Sequence, residues 1–210
     1  MIKTLIFDFG DVFINLDKEG TIQKSIQLLG KDIITEAKRS NNQDLFKIND
    51  AYEKGKISTQ QFLTFYKGLV HNINESDIIF LWNSLIKDFP LHRLKFIENI
   101  ANTTPFKTIL LSNTNELHIN YIKENVSFYD TFKSCFDAFY LSYEMGLRKP
   151  DNEIFQYVLT ENNLNAKECL FIDDTKENTI AASKLGINIW NINPKKEDVT
   201  ELFTLKQELF

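Results

Sequence analysis

Cysteine, proline and glycine are scarce: 2, 4 and 7 residues in a chain of 210. Two cysteines, Cys135 and Cys169, make no disulfide framework at this length, and both are expected as reduced thiols in or near a core. So little proline and glycine excludes collagen-like or linker-dominated architecture. Basic charge is not in excess, since 24 Lys and Arg stand against 29 Asp and Glu, a formal net charge of −5. No nucleic-acid partner is therefore expected. Asp8 interrupts the first apolar run too early for a signal peptide, and no later run approaches the roughly 20 residues of a membrane span. A cytoplasmic protein with no membrane partner follows as the expectation, which also discounts Asn102-Thr-Thr and Asn125-Val-Ser as glycosylation sites. Gly-x-Gly-x-x-Gly and Gly-Lys-Ser/Thr loops are missing, so no nucleotide cofactor is expected. Ser112 is not in a Gly-x-Ser-x-Gly turn, and His71, His92 and His118 lack metal-ligand spacing.

What is present suffices for a sizeable core: 43% of residues are hydrophobic and 13% aromatic. Thr4-Leu-Ile-Phe-Asp-Phe-Gly is a short apolar run ending in a carboxylate, the pattern of a strand buried on both faces. Thr108-Ile-Leu-Leu-Ser-Asn, Ala138-Phe-Tyr-Leu-Ser and Cys169-Leu-Phe-Ile-Asp-Asp have the same shape, and Ile187-Asn-Ile-Trp-Asn-Ile is a fifth candidate. Helical stripes lie between them. Ile154, Phe155, Val158 and Leu159 share a face after Lys149-Pro150-Asp151, a helix entry. Ile180, Ala181 and Leu185 form another stripe, which Gly186 is placed to end. Strands alternating with helices predict an α/β fold with a Rossmann-like parallel sheet.

Residues 16–92 read differently. Ile26, Leu28 and Leu29, then Leu45, Phe46, Ile48 and Tyr52, then Phe62, Phe65, Tyr66 and Leu69, and Ile78, Ile79, Leu81, Trp82 and Leu85 recur at helical spacing. Gly55 and Ser58 supply a stop and a start. The expectation is a small helical cap over 16–92, inserted after the first strand into a core of 1–15 and 93–210. It would hinge near Asn15, Lys18 and Glu19 and near Pro90 to Arg93, closing as a lid over the strand ends where ligands bind in open α/β sheets.

Three of the strands end in reactive polar residues: Asp8, Ser112-Asn113 and Asp173-Asp174. In a parallel sheet these ends share one edge. Three carboxylates together call for a cation, and hard oxygen ligands suit Mg²⁺, which keeps positions for substrate oxygens. Ser112, the Asn113 N–H and Lys149 are then candidates to hold a phosphoryl group, with Asp8 free to attack phosphorus and form an acyl phosphate.

The segments Phe7-Asp8-Phe9-Gly10-Asp11-Val12, Leu111-Ser112-Asn113-Thr114, Gly146-Leu147-Arg148-Lys149-Pro150 and Phe171-Ile172-Asp173-Asp174 resemble, in order, the four motifs of the haloacid-dehalogenase-like hydrolase superfamily. Within it the chain is most similar to the α-D-glucose-1-phosphate phosphatases and the phosphatase domain of soluble epoxide hydrolase. The resemblance implies a Mg²⁺-dependent phosphatase of a small phosphorylated metabolite, a sugar phosphate being favoured. It makes Asp8 the nucleophile and a metal ligand, and the Gly10 carbonyl and Asp174 the other protein ligands. Asp173 would order the ligands from behind, Ser112 and Asn113 would hold phosphoryl oxygens, and Lys149 would neutralise nucleophile and phosphate. Arg148 would be a surface or substrate-rim residue.

Gly10 departs from the pattern. Most phosphatases of the superfamily carry a second Asp two residues after the nucleophile, as acid and base, and such help is typically worth ~10²–10⁴-fold. A sugar 1-phosphate, leaving as a hemiacetal oxygen, needs it less. Asp11 either stabilises the turn or reaches the leaving group through water. Two alternatives remain beside the phosphatase. One is a phosphate-binding or regulatory relative without turnover. The other is a dehalogenase, which tolerates Gly10 but leaves the charge of Asp173 and Asp174 unneutralised. The aromatic residues Tyr52, Phe62, Phe65, Tyr66 and Trp82 are read as cap core.

Overall fold

The four residues Thr4–Phe7 form strand β1, flanked by β2 (Lys107–Ser112) and β4 (Cys169–Asp173), with β3 (Ala138–Leu141) and β5 (Asn188–Asn191) outside them. The computed structural model describes residues 1–29, 43–69 and 73–210, so His71 lies outside the described residues. All four pairings are parallel and the strand order is β3-β2-β1-β4-β5. The chain builds outward from β1 through β2 and β3, then crosses to the other side for β4 and β5. The connections after β1 and β4 therefore diverge and leave a crevice at their carboxyl ends.

The helices among the described residues are α1 (Lys18–Leu29), α2 (Gln43–Glu53), α3 (Thr59–Leu69), α4 (Glu75–Asn83), α5 (Leu91–Thr103), α6 (Glu116–Asn125), α7 (Tyr129–Ser134), α8 (Ser142–Met145), α9 (Asn152–Glu161), α10 (Lys176–Lys184) and α11 (Leu202–Leu205). Successive strand residues point to opposite sheet faces, so every residue of β1 is buried. On one face Leu5, Phe7, Leu110, Leu170 and Ile172 pack with α5, α6 and α7. On the other, Ile6, Ile109, Leu111 and Phe171 pack with Ile154, Phe155 and Val158 of α9 and Ala181 and Ala182 of α10. The first face is rich in phenylalanine. Phe13 meets Phe132 at 5.0 Å edge-on, and Phe9 stacks on Phe132 at 5.2 Å. Both cysteines are buried free thiols, as expected.

The stripe expected on α10 needs correction. Ile180 is 41% exposed, and the sheet-facing side is Asn178, Thr179, Ala181 and Ala182. Small side chains let α10 lie close to β4 and β5, and a β-branched isoleucine is turned outward. Gly186 does follow the helix, with φ +86°, a left-handed value that costs glycine no steric strain. Pro150 sits outside α9, whose N-cap Asp151 makes no side-chain cap. Its carboxylate instead reaches Lys54 at 3.0 Å.

Between β1 and α5 the chain leaves the sheet as α1 to α4. Asn15 and Asp17 exchange backbone hydrogen bonds with Leu85, Lys87 and Asp88, so the outgoing and returning segments pair as a short antiparallel ribbon. Tyr52, Phe62, Leu63, Ile73 and Ile78 make a separate small core there. Ser58 and Gln61 cap α3 reciprocally, and Gly55 takes φ +61° just after α2. Four residues of the expected stripes, Ile26, Leu28, Phe46 and Leu69, are exposed instead. Phe65 is only half-buried. Trp82 stacks on His118 of α6 and donates from its indole N–H to Asn115, 3.1 Å away, so it joins α4 to α6 as well as packing in this small core.

Candidate active site

The apolar strands end where their sequence turns polar, and all such ends lie on one edge. Asp8 follows β1 directly, Ser112 closes β2 and Asp173 closes β4. Lys149 arrives from the loop between α8 and α9. It is 1% exposed, and its ammonium donates to Asp8 Oδ1 at 2.8 Å, Asp173 Oδ2 at 2.7 Å and the Leu111 carbonyl at 2.7 Å. Three acceptors use all three of its N–H groups.

Asn113 fixes that lysine. Its Nδ2 donates to the Lys149 carbonyl and its Oδ1 accepts the Lys149 N–H, at 2.8 and 2.9 Å. The Asn113 side chain is thus committed to positioning. Ser142 pins the next residue, accepting the Thr114 N–H and donating to the Thr114 carbonyl.

Asp173 is fully buried and saturated on both oxygens, by Lys149, the Thr175 N–H and Asn178 Nδ2. Asp174 is half-buried and open to a cavity of about 390 Å³ that Asp8, Gly10, Asn113, Lys149 and Asn178 also line. Ser112, buried behind Asn113, is not part of that wall. Asp8, Asp173 and Asp174 each present an oxygen within 4.8 Å of the others. Burial pushes the Asp8 carboxyl up to about 7 against the pull of Lys149, with Asp173 and Asp174 adding to the rise. Burial also raises Asp174, and Asp173 reinforces it. For Lys149, burial is outweighed by Asp173 and Asp8, and its ammonium is held above the ordinary range. One buried cation thus faces three carboxylates. A set of hard carboxylate oxygens short of positive charge fits Mg²⁺.

Asp11 adopts φ +54°, and its carboxylate accepts the Leu16 N–H at 2.9 Å and the Lys18 ammonium at 2.8 Å. Of the two readings of Asp11, the geometry is that of the turn. Arg148 is neither free nor on the open surface. It pairs with Glu53 at 2.8 Å and Asp50 at 3.4 Å, joining the loop between α8 and α9 to α2. His92 pairs with Asp198, and His118 is buried, so neither approaches the carboxylates as a ligand.

Sequence reasoning did not single out Asn178, Thr175 or Glu53 as parts of the site. Asn178 carried a signal: it falls five residues after Asp173, in the first turn of the helix that the strand feeds. Glu53 carried none, because its partner is 95 residues away in sequence.

The sequence profile of haloacid dehalogenase-like hydrolases matches residues 2–186. The D-ribitol-5-phosphate phosphatase of Bacteroides thetaiotaomicron is 28% identical over 189 residues, 89% of each chain. A crystal structure of a HAD family enzyme from the same organism superposes with a TM-score of 0.85 at 34% identity, covering 96% of this chain and 98% of that one. The wild-type form of that enzyme, in complex with magnesium and inorganic phosphate, gives 0.81 at 32% identity, covering 97% and 100%. No helix among the described residues is long and apolar enough to cross a membrane. With four motifs on one sheet edge and the profile spanning nearly the whole chain, the protein belongs to the haloacid dehalogenase-like hydrolases.

Proposed function

We propose that this hydrolase is a Mg²⁺-dependent phosphatase that cleaves the phosphomonoester of a small metabolite through an aspartyl-phosphate on Asp8. The observation that carries the reading is the triple hydrogen bond of the buried Lys149 ammonium to Asp8, Asp173 and Leu111. It fixes one Asp8 oxygen and leaves Oδ2 without a hydrogen-bond partner among the described residues, at the wall of the cavity. That oxygen attacks phosphorus, the bond to the ester oxygen breaks, and the alcohol departs with a proton taken up from water. A water oxygen then bonds to phosphorus and Asp8 is released as carboxylate.

Asp8, Asp174 and the Gly10 carbonyl are the groups that would hold Mg²⁺. Bound there, the ion neutralises the carboxylates and the phosphoryl oxygens, the main demand of phosphoryl transfer. Asp173, saturated by Lys149, Thr175 and Asn178, keeps the first ring of ligands in place. Asn113, at the cavity wall, completes the phosphate seat with its main-chain N–H, while its side chain holds Lys149 and Ser112 stays out of the wall. The relative that acts on D-ribitol 5-phosphate supports a sugar or polyol phosphate as the substrate. A dehalogenase has no use for Asp174 beside the nucleophile.

Gly10 favours one second reading, a phosphate-binding relative without turnover. Hydrolysis of an aryl phosphate, whose leaving group needs no proton, separates the two. Turnover that disappears with chelator and falls at least 10³-fold in Asp8→Asn is expected. A folded, Mg²⁺-binding wild type with no turnover would leave the non-catalytic reading standing.

A further inference from the structure

We propose that Lys18 meets the leaving oxygen of the substrate, supplying by charge what Gly10 cannot supply by proton transfer. The inference rests on the phosphatase reading above. It starts from what surrounds the missing acid. Gly10 has no side chain, and a Cβ built on it would lie 3.0 Å from Leu16 Cδ1. The place from which an acid would act is thus walled by an apolar side chain, and Leu16 lines the cavity over Asp8.

Three cations line that cavity among the described residues: Lys18, Arg148 and Lys149. Lys149 has spent its three N–H groups on Asp8, Asp173 and Leu111. Arg148 is drawn away to Glu53 and Asp50 on α2. Arg148 keeps an unpartnered N–H only at its buried Nε, behind the ends that reach α2, whereas Lys18 keeps donor capacity on the ammonium itself. Among the described residues its ammonium has one hydrogen-bond partner, Asp11 at 2.8 Å, with Asp174 further off at 3.7 Å.

Its position is the second argument. Lys18 is the first residue of α1, where the chain enters the helical segment. It lines the cavity over Asp8 and also a second cavity of about 370 Å³ between the helices, walled by Ile22, Leu45, Tyr66, Leu81 and Trp82. A phosphoryl group on Asp8 with its organic part toward the cap places the ester oxygen between the two cavities, and Lys18 is the residue they share. Asp11 explains how the ammonium is aimed. Locked at φ +54°, it holds the Leu16 N–H with one oxygen and Lys18 with the other. Asp11 is therefore a positioning residue that acts through Lys18.

Lys18 stays protonated throughout. As the Asp8 oxygen bonds to phosphorus and the ester bond breaks, the electron pair settles on the leaving oxygen, and an ammonium N–H hydrogen-bonds to that growing charge. The alkoxide then takes its proton from water. Over one turnover a single water supplies that proton and the oxygen that releases phosphate from Asp8. Such stabilisation matters in proportion to the charge that develops, so its weight depends on the leaving group.

The test is kcat/KM at saturating Mg²⁺ for a series of aryl phosphates of rising phenol pKa, ending with an alkyl phosphate. Wild type, Lys18→Met and Lys18→Arg are compared. For Lys18→Met we expect a loss of about 10²-fold on the alkyl ester, shrinking to less than about 3-fold on the best leaving group, with most of the loss restored in Lys18→Arg. The same pattern, weaker, is expected for Asp11→Asn. A loss of equal size on every ester, or no loss on the alkyl ester, would overturn the proposal and reduce Lys18 to a strut between α1 and the turn. A wild type inactive on the whole series, or one indifferent to Asp8→Asn, would instead remove the phosphatase reading beneath it.

Discussion

At the scale of single residues, the buried charges decide most. Lys149 is the only cation within hydrogen-bonding distance of Asp8 and Asp173 among the described residues, and it is itself enclosed. Removing it in Lys149→Ala leaves buried acids uncompensated, which costs about 3–5 kcal/mol where a buried pair is broken. The expected outcome is loss of turnover together with a lower unfolding midpoint in urea, and added Mg²⁺ should recover part of the stability but not the turnover. His118 is a second buried charge problem. Its Nε2 lies 3.0 Å from the Trp82 carbonyl, which only accepts, so Nε2 carries the proton and Nδ1 accepts from Asn115. Burial pushes this imidazole down to about 4 against the pull of that carbonyl. Protons therefore bind the unfolded chain first as pH falls below about 6.5. Stability from this site is fully present above that value and is lost progressively down to pH 4, about 3 kcal/mol in all. His118→Gln should be less stable at pH 7 yet change less than wild type between pH 7 and 5, read by urea denaturation. Parallel pH curves for the two proteins would contradict this account.

At the scale of elements, the four helices between β1 and α5 are held onto the rest of the fold by specific polar contacts on two sides, one of them through Trp82, Tyr52 and Thr59 to α6. Arg148 bridges Glu53 and Asp50, Lys54 reaches Asp151, and the turn after α2 lies against α8. Gly55 is the tightest of these. It sits at φ +61°, and a Cβ there would come within 2.0 Å of the Tyr143 carbonyl oxygen, a backbone atom that cannot swing aside. Gly55→Ala should thus cost about 1–3 kcal/mol and push α2 off its seat. We expect a several-fold rise in KM, with the sheet domain's near-ultraviolet signal largely kept; an unchanged KM would show that α2 does not shape the substrate site. None of this was readable in advance. Glycine at position 55 announced a helix stop, but not that Tyr143 lay behind it. The apolar stripes of the cap marked one side of each helix without saying what covers it, which is why Phe62 is buried while Phe46 and Leu69 are exposed. The strands were legible because an unbroken apolar run has a single home, between two layers. Asp8, Asp173 and Asp174 were legible because a carboxylate ending such a run must emerge at the sheet edge. Lys149 follows from no periodicity and was a candidate only as a cation in a fourth loop, its neutralising role coming through the resemblance. Asn178 lay within reach of a local reading, five residues after Asp173, while the place of Lys18 depends on packing between distant segments.

At the scale of the whole molecule, the sheet gathers three carboxylates at its switch point and supplies one buried ammonium to meet them. Folding without a further cation is opposed by that concentration of charge, as the raised Asp8 and Asp174 carboxyls show. The unfolded chain holds the same groups far apart. A divalent ion at this site therefore binds the folded state almost exclusively, and its binding energy becomes folding energy. At 100 times its dissociation constant Mg²⁺ would add about 2.7 kcal/mol, or roughly 5–10 °C in Tm for a chain this long. Asp174→Asn separates the two contributions. It removes a ligand, so the rise with Mg²⁺ should shrink to within about 1 °C. It also removes one of the crowded charges, so without metal the variant should melt at or above wild type. Calorimetric scans of both proteins, with chelator and across a Mg²⁺ titration, read the two effects separately. A variant that is less stable than wild type in chelator and still gains the full rise with Mg²⁺ would mean that Asp174 is a structural acid, and that the metal rests on other groups.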